Sequence, residues 1–449
     1  MDYYSEEMYG RRHGPAHIGG YSAQAEKFTL TNIPKDISET HAIKVFQAWQ
    51  SNICAVEIPA SLTCNLDCKY CYITDKWLKN IYVSPHDVRK ILVSVKDRLF
   101  IDKTQPKTIT PWGAEPFANL DTLEVVFDFA EEEGYNLGTS TNGTILNERS
   151  MKLLERMVKN TNIKKELQIS LDGPKHIQDK YRCTYSGEGT FDRVMDFISY
   201  LHDLDMKYRD GKRSYICCST IFLGDRTKEE YLNAIEFFGD KSNYLVFSDT
   251  MPMRIVNHVL YTSQYRDIFI DTMEAAIDLL SKKSDENKMY MEDFYIALST
   301  RKERHYVCDH PFCSAMHSHV AIDLDGSMYM CHSPITSPSI KPQFWFGNLF
   351  EGTIDYRAWV KNLDMFSCKM VTYDICRKCE IVRDNGCSNV CLDCPANYVA
   401  IDGLPINYDP YRCQAMRHMY PQWKKYMIET DRRMAEYGST KNAPHEKLC

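Results

Sequence analysis

The stretch LTCNLDCKYCY at residues 62–72 decides the interpretation of this chain. It places Cys64, Cys68 and Cys71 in a CxxxCxxC pattern directly after an apolar strand predicted at 54–61. Three thiolates on a short loop can hold three irons of a [4Fe–4S] cluster, which leaves the fourth iron without a protein ligand. A zinc loop would need a fourth Cys or His close by, and Cys54 lies upstream within the predicted strand. The spacing therefore favours a cluster with one open iron.

Composition describes an ordinary globular chain. The 449 residues allow two or three domains and a substantial core, and 44% of them are hydrophobic and 26% charged. A net charge of -7 without a long basic run makes nucleic acid a poor partner. No apolar stretch reaches the roughly 20 residues of a membrane span, and the N-terminal MDYYSEEMYGRRHG is not a signal peptide. We expect a soluble, cytoplasmic protein that does not engage membranes.

The 18 cysteines depart from this ordinary pattern. Without an export signal the thiols should stay reduced, so metal or cluster ligation is favoured over disulfides. Three cysteines lie in the first loop, and nine further candidate ligands lie between residues 308 and 413. The remaining thiols are expected to be buried small hydrophobes or incidental: Cys54, Cys183, Cys217, Cys218, Cys368 and Cys449.

Strand and helix patterns alternate from residue 54 to residue 249. Strands are predicted at 54–61, 106–112, 136–141, 166–173, 214–223 and 243–249. Helices are predicted between them at 84–100, 120–134, 147–160, 190–204 and 228–240. This alternation indicates an α/β fold with a parallel sheet, and its six units predict a partial (β/α)6 barrel. In such barrels the chemistry lies on loops at the carboxyl ends of the strands.

The same pattern predicts a division into five segments. Residues 1–50 form an N-terminal arm with a short strand and helix, and 51–260 form the partial barrel. Linking helices at 261–304 lead to a region at 305–430 that is rich in Cys, Gly and Pro, and 431–449 form a C-terminal tail. We expect metal clusters, more than a large apolar core, to hold the fourth segment together.

The first cysteine loop, with aromatic Tyr70 before its third cysteine, resembles the signature of the radical S-adenosylmethionine (SAM) superfamily. The resemblance implies that the open iron of a [4Fe–4S] cluster binds the amino and carboxylate groups of SAM. An electron, supplied by a donor such as flavodoxin or ferredoxin, then cleaves SAM to methionine and a 5′-deoxyadenosyl radical. That radical abstracts a hydrogen from the substrate, while the protein binds and orients the reactants.

Two further motifs follow the next predicted strands. Gly113-Ala114-Glu115-Pro resembles the family's GGEP motif with Ala in place of the second Gly, and implies that Gly113, Ala114 and Glu115 receive the SAM amino group. Thr141 and Asn142 belong to a TNG sequence where the family often places polar groups that contact SAM. Taken alone, the first motif is an ordinary turn and the second a hairpin-like turn signal.

A third motif, SLDGP at 170–174, continues to Arg182 and resembles a segment of radical SAM enzymes that modify peptides and proteins. The resemblance puts Ser170 and Asp172 near the SAM ribose and Arg182 near its carboxylate. A guanidinium fork suits a carboxylate better than an ammonium does. The alternative for Arg182 is an ordinary surface salt bridge.

The cysteine-rich region resembles a SPASM domain, which commonly holds two auxiliary [4Fe–4S] clusters. Its pattern is Cys313-x12-Gly326-x4-Cys331, with Asp325-Gly326 predicted to turn a hairpin, followed by a second half whose internal gap of seven residues replaces the usual five. The resemblance assigns the first cluster to Cys308, Cys313, Cys331 and Cys391. It assigns the second to Cys376, Cys379, Cys387 and Cys413, with Cys394 as an alternative to Cys391. The paired CxxC motifs alone would indicate zinc.

Auxiliary clusters can accept electrons, so the chain is expected to oxidise its substrate. The resemblance is to maturases of ribosomally made peptides and to anaerobic sulfatase-maturing enzymes. Resemblance to the peptide maturases predicts a peptide substrate and an oxidative crosslink, with a thioether as one product. The N-terminal arm is too short for the leader-recognition domain that these maturases usually carry. Resemblance to the sulfatase-maturing enzymes predicts formation of formylglycine. Those enzymes usually carry Asp at the position where His332 follows Cys331 in this chain. A radical SAM dehydrogenase of a small alcohol and a non-catalytic metal-bound scaffold are the remaining alternatives. No general base is assigned, and the histidines near the ligands are expected to be structural or solvent-facing.

Overall fold

The structure is a computed structural model. It describes residues 28–69, 71, 73, 81–212, 214–220, 227, 229–230, 233–234, 236–237, 245–248, 315–336, 338, 340–365, 417 and 421. In this part of the chain, no helix combines the length and apolar character needed to cross a membrane.

One mixed sheet of eleven strands organises the described residues, in the order β1-β11-β10-β9-β8-β2-β3-β4-β5-β6-β7. The parallel strands that follow one another in the chain are β2 Ala55–Ser61, β3 Thr108–Gly113, β4 Asn136–Thr141, β5 Lys165–Ser170, β6 Tyr215–Thr220 and β7 Leu245–Ser248. The others are β1 Thr29–Thr31, β8 His319–Ile322, β9 Ser327–Tyr329, β10 Trp345–Asn348 and β11 Thr353–Asp355. The six predicted parallel strands are therefore all present.

Helices alternate with the parallel strands. Their bounds are α1 Glu39–Asn52, α2 Pro85–Arg98, α3 Leu120–Glu133, α4 Glu148–Lys159, α5 Lys175–Tyr181 and α6 Phe191–Tyr208, with α7 His332–Ile335, α8 Lys341–Phe344 and α9 Tyr356–Met365 farther along the chain. Local chemistry sets several of these ends. Ser84 accepts a hydrogen bond from Asp87 at the start of α2, where Pro85 occupies the first turn. Gly134 ends α3 with a left-handed φ of 71°, a conformation that glycine adopts without a side-chain clash.

The hydrophobic core lies between the helices and one face of the parallel sheet. Val56, Ile58, Ile109, Leu167 and Ile169 are fully buried, and they alternate along their strands with residues of the opposite face. The buried apolar residues of helices α2, α3, α4 and α6 cover this face. The opposite face is more polar: Ser140 is exposed, and its hydroxyl donates to the Gln168 side-chain Oε1 at 3.2 Å.

The sheet continues on the other side of β2 with residues from the C-terminal half of the chain. Strand β8 pairs with β2 in parallel, with His319 beside Ala55, and β8 and β9 form an antiparallel hairpin. The turn is closed at Gly326, whose φ is 83°, so the predicted hairpin at Asp325-Gly326 is confirmed. Two residues after β9 comes Cys331, and the N–H of the next residue, His332, donates to Glu57 of strand β2 at 2.7 Å.

A buried aromatic cluster fastens α1 to this second half of the sheet. Trp49 packs against Trp359 and Phe346, with ring centroids 5.6 and 6.0 Å apart, and its indole N–H donates to the Met316 carbonyl at 2.5 Å. Phe46 packs against both tryptophans. The helix that precedes β2 is therefore part of the common core.

Candidate active site

The four motifs found in the sequence lie together at one edge of the sheet. The cysteine loop follows β2, Gly113-Ala114-Glu115 closes β3, Thr141-Asn142 closes β4, and Asp172 follows β5. Neighbouring parallel strands end on the same side, so these segments are adjacent in space although they are distant in sequence.

Backbone contact joins the first two motifs. The Ala114 N–H donates to the Ser61 carbonyl at 2.8 Å, and the Glu115 N–H donates to the Thr63 carbonyl at 3.0 Å. This approach requires glycine at position 113: its φ is 155°, and a Cβ built there would lie 1.6 Å from the Ser61 oxygen. Ala114, which stands where the family pattern has a second Gly, makes this contact through its backbone N–H.

Glu115 is fully buried, and its carboxylate is engaged by the protein. One oxygen accepts from the Phe117 N–H at 3.0 Å and the Thr141 hydroxyl at 2.7 Å, and the other accepts from the Asn142 N–H at 2.6 Å. Burial raises the pKa of Glu115 to about 7, against the lowering effect of these hydrogen bonds and of Arg182. The carboxylate thus connects the ends of β3 and β4.

Three polar side chains form a closed ring beside the cysteine loop. The Asn65 side-chain Nδ2 donates to the Thr144 hydroxyl at 2.8 Å, and that hydroxyl donates to the Asn142 side-chain Oδ1 at 2.7 Å. The Asn142 Nδ2 in turn donates to the Asn65 side-chain Oδ1 at 2.9 Å. The Asn142 amide nitrogen also lies 3.9 Å from the Cys64 sulfur. We call Asn65, Asn142 and Thr144 the amide ring. Sequence analysis singled out only Asn142.

The loop also pairs with the segment after α5. The Asp67 N–H donates to the Cys183 carbonyl at 2.8 Å, and the Lys69 N–H donates to the Tyr181 carbonyl at 3.0 Å. Between these partners in the chain, the Arg182 Nε donates to Asp172 at 3.1 Å, and the Asp172 side chain is fully buried. Arg182 therefore lies in the site and is not a surface ion pair.

The Arg182 guanidinium and the cysteines form one electrostatic group. Burial raises the pKa of Cys68 to about 12, opposed by Arg182 and reinforced by Cys64, Cys71 and Asp172. A bound metal centre would favour the thiolate form of Cys68, because its positive charge compensates the charge that burial disfavours. In the described residues, no three His, Cys, Asp or Glu side chains are close enough to hold a single ion. The three thiols of the loop match the protein ligand set of a [4Fe–4S] cluster with one open iron.

A second polar group, absent from the predicted site residues, lies on β2. Glu57 is almost buried and accepts from the His332 N–H at 2.7 Å, while its carboxylate lies 2.9 Å from the His332 Nδ1 and 3.3 Å from the His319 Nε2. The pKa of Glu57 lies well below its usual range: burial, the largest influence, raises it, but the two imidazoles outweigh burial. The His332 ring also stacks on Trp112 at 5.5 Å. The sequence feature that could have indicated this group is the charged Glu57 inside the otherwise apolar strand AVEIPAS.

Of the remaining predicted site residues, the structure describes Ser170 and Cys331 and leaves the others outside the described part of the chain. Ser170 ends β5 and is half-buried, and Cys331 is half-buried beside His332. Outside the described residues lie Tyr70, Cys308, Cys313, Cys376, Cys379, Cys387, Cys391, Cys394 and Cys413.

Comparison with known proteins identifies the domain that carries this site. Residues 58–238 match the family model of the radical SAM superfamily, so this part of the chain is a radical SAM domain. Its relatives include a cysteine-type anaerobic sulfatase-maturating enzyme of Clostridium novyi, which is 31% identical over 160 residues. That match covers 33% of this chain and 40% of the relative's length.

Solved structures support the fold. The structure of native anSMEcpe with bound AdoMet superposes with a TM-score of 0.63 at 17% identity, covering 85% of this chain and 99% of that one. SuiB of Streptococcus suis, bound to its precursor peptide SuiA, gives a TM-score of 0.52 at 14% identity, covering 86% of this chain and 84% of SuiB. At these identities the likeness concerns the fold alone.

Proposed function

We propose that this protein is a radical SAM enzyme that modifies a ribosomally made peptide by oxidative crosslinking, with a thioether from a Cys sulfur to a carbon as the working hypothesis for the product. The observation that carries the proposal is the shared environment of Cys68, Asp172 and Arg182 at the carboxyl ends of the parallel strands. It combines a thiol loop suited to an iron–sulfur cluster with a buried ion pair at its side.

Cys64, Cys68 and Cys71 would hold a [4Fe–4S] cluster. Bound there together with SAM, such a cluster would supply the reductive cleavage of SAM that starts radical chemistry on the substrate. Arg182 is held by Asp172 and lies within electrostatic range of Cys68, so it offers a fixed positive charge for the SAM carboxylate.

The other motif residues frame the SAM site. Thr141, Asn142 and the backbone around Gly113 are held in place by the Glu115 carboxylate and by the contact with Ser61. Glu115 therefore holds the backbone and side chains of the SAM site in position, since three protein donors occupy its carboxylate oxygens. Ser170 and Asp172 follow β5 on the same side and would border the SAM ribose.

The peptide is the substrate class that the comparisons favour. SuiB was solved bound to its precursor peptide SuiA, and anSMEcpe was solved with the Cp18Cys peptide. In this chain the sheet face that bears Ser140 and Gln168 is polar and accessible, as a channel for an extended peptide requires. We further propose that the cysteines from Cys308 to Cys413 hold two auxiliary [4Fe–4S] clusters in a SPASM domain and that these accept the electron left after hydrogen abstraction.

A second candidate is formylglycine formation on a protein Cys, and the match to the sulfatase-maturating enzyme of Clostridium novyi favours it. His332 stands immediately after Cys331, where that group usually carries Asp. The two candidates give different products: crosslinking removes a pair of hydrogens from the peptide, whereas conversion of Cys to formylglycine removes sulfur.

The test has two stages. First, anaerobically reconstituted protein is reduced with dithionite and assayed for 5′-deoxyadenosine released from SAM. Wild type should release it, and replacement of Cys64, Cys68 and Cys71 by Ala should abolish release while leaving the auxiliary iron. Release that survives the triple replacement contradicts the assignment of the cluster loop. Second, anaerobic co-expression with short open reading frames neighbouring the gene, followed by peptide mass, separates crosslinking from sulfur loss.

A further inference from the structure

We infer that Asn142 is a positioning residue for the Cys64 thiolate. The amide ring holds the side-chain N–H of Asn142 toward the Cys64 sulfur, and this N–H raises the reduction potential of the bound cluster. The inference rests on the proposed function, because it requires a cluster on Cys64. It gives the TNG sequence a role toward the cluster in place of the SAM contact that the family pattern suggested.

The orientation of the Asn142 amide is determined by its neighbours. The Thr144 backbone N–H donates to the Asn142 side-chain oxygen at 3.0 Å, and a backbone N–H can only donate. The oxygen must therefore face Thr144, and the NH2 group must face the cysteine loop. A flipped amide would set two donors against each other and break the link to Asn65.

The NH2 group then has two hydrogens and two acceptors. One hydrogen serves the Asn65 oxygen at 2.9 Å, and the other is directed to the Cys64 sulfur, with the nitrogen at 3.9 Å. The Leu66 backbone N–H approaches the same sulfur at 3.4 Å. Two N–H donors thus face one thiolate. Asn142 is only 7% exposed, so little water competes for this contact.

The ring also holds the sulfur and the donor in one rigid unit. Asn65 belongs to the cysteine loop itself, and the Asn142 backbone is bound to Glu115, whose own N–H is bound to Thr63 at the start of that loop. Displacement of the donor from the sulfur therefore breaks several hydrogen bonds together. Hydrogen bonds to cluster sulfurs stabilise the reduced, more negative state more than the oxidised one, and so raise the potential.

Three variants test the inference. Asn142→Asp keeps the size and the oxygen facing Thr144 but replaces the NH2 donor with a second oxygen. Thr144→Val opens the ring and leaves the Asn142 amide in place. Asn162→Asp, at an exposed position, is the matched control for an added negative charge. The readouts are the iron bound per chain, SAM affinity, and the midpoint potential of the paramagnetic signal that is lost when Cys64, Cys68 and Cys71 are replaced by Ala.

We expect the potential to shift to more negative values in Asn142→Asp, to shift less in the same direction in Thr144→Val, and to stay unchanged in Asn162→Asp. An unchanged potential in Asn142→Asp overturns the inference, and so does a loss of SAM affinity at unchanged potential, which would make Asn142 a SAM contact. If wild type binds no iron that depends on the three cysteines, the proposed function itself fails and this inference fails with it.

Discussion

Replacement of Gly113 by Ala tests how the site is assembled. A Cβ at this position would lie 1.6 Å from the Ser61 oxygen and 2.6 Å from the Ser61 carbonyl carbon. Non-bonded heavy atoms settle at about 3.5 Å, so the two segments must separate by roughly 2 Å. That movement breaks the hydrogen bonds of Ala114 to Ser61 and of Glu115 to Thr63, which are worth about 1 kcal/mol each.

The backbone adds a further cost, because a φ of 155° is sparsely populated by any residue with a side chain, at about 1–3 kcal/mol. Gly113→Ala should therefore lower the free energy of unfolding by about 3–5 kcal/mol in total. It should also reduce the iron bound by the first cluster loop, since the displaced residues lead directly into Cys64.

Gly134→Ala is the matched control for this variant. Gly134 also has a positive φ, 71°, but nothing lies within 4 Å of a Cβ built there. Its replacement should cost only about 1 kcal/mol. Urea unfolding under anaerobic conditions, followed by circular dichroism, compares the two variants with wild type, and iron analysis follows the cluster. If Gly113→Ala is as stable as Gly134→Ala, the proposed close approach of the two segments is wrong.

Three further predictions concern charged groups of the site. Glu57→Gln should lower the free energy of unfolding by about 2–3 kcal/mol near pH 6 and by less at pH 9. The pairing of Glu57 with His319 lowers the pKa of Glu57 and raises the pKa of His319, although burial opposes both shifts. The pair therefore contributes most to stability between the ordinary pKa values of the two groups, 4.5 and 6.5. Because burial raises the pKa of Glu115 to about 7, wild type should lose stability as the pH rises from 5 to 8, and Glu115→Gln should lessen that loss in pH-dependent unfolding. Arg182→Lys should cost about 1–3 kcal/mol, because an ammonium cannot reproduce the Nε–H bond to the buried carboxylate, and should weaken SAM binding measured by calorimetry.

Each of these three predictions has a result that contradicts it. For Glu57→Gln it is an equal loss of stability at pH 6 and pH 9. For Glu115→Gln it is a pH profile that matches wild type. For Arg182→Lys the comparison is Arg193→Lys, whose ion pair with Glu188 is solvent-exposed and should change stability by less than about 0.5 kcal/mol; equal effects in the two variants would remove Arg182 from the site.

The parallel half of the fold was predictable because local patterns determine it. The strand at 136–141 matches its prediction, and Gly134 and Gly326 mark turns that only a positive φ permits. The gathering of the motifs at one edge of the sheet follows from the geometry of parallel strands. The radical SAM domain is confirmed by its family match.

Other parts of the site depend on contacts between distant segments, which no local pattern encodes. The amide ring needs Asn65 and Thr144 to meet across 79 residues, and the Glu57 carboxylate meets the His332 N–H across 275 residues. His319 and His332 could not be given a role from the sequence, because their acidic partner Glu57 lies in a distant strand. The assignment of the cysteines between 308 and 413 to two auxiliary clusters stays a prediction.

The pairing of β8 with β2 has a consequence for how the chain is made. During synthesis β2 and its cysteine loop leave the ribosome long before residues 319–322, so one edge of the central strand has no partner until most of the chain has been translated. An unpaired edge strand is a site of intermolecular association. Expression conditions that slow translation before residue 319 should therefore favour aggregation.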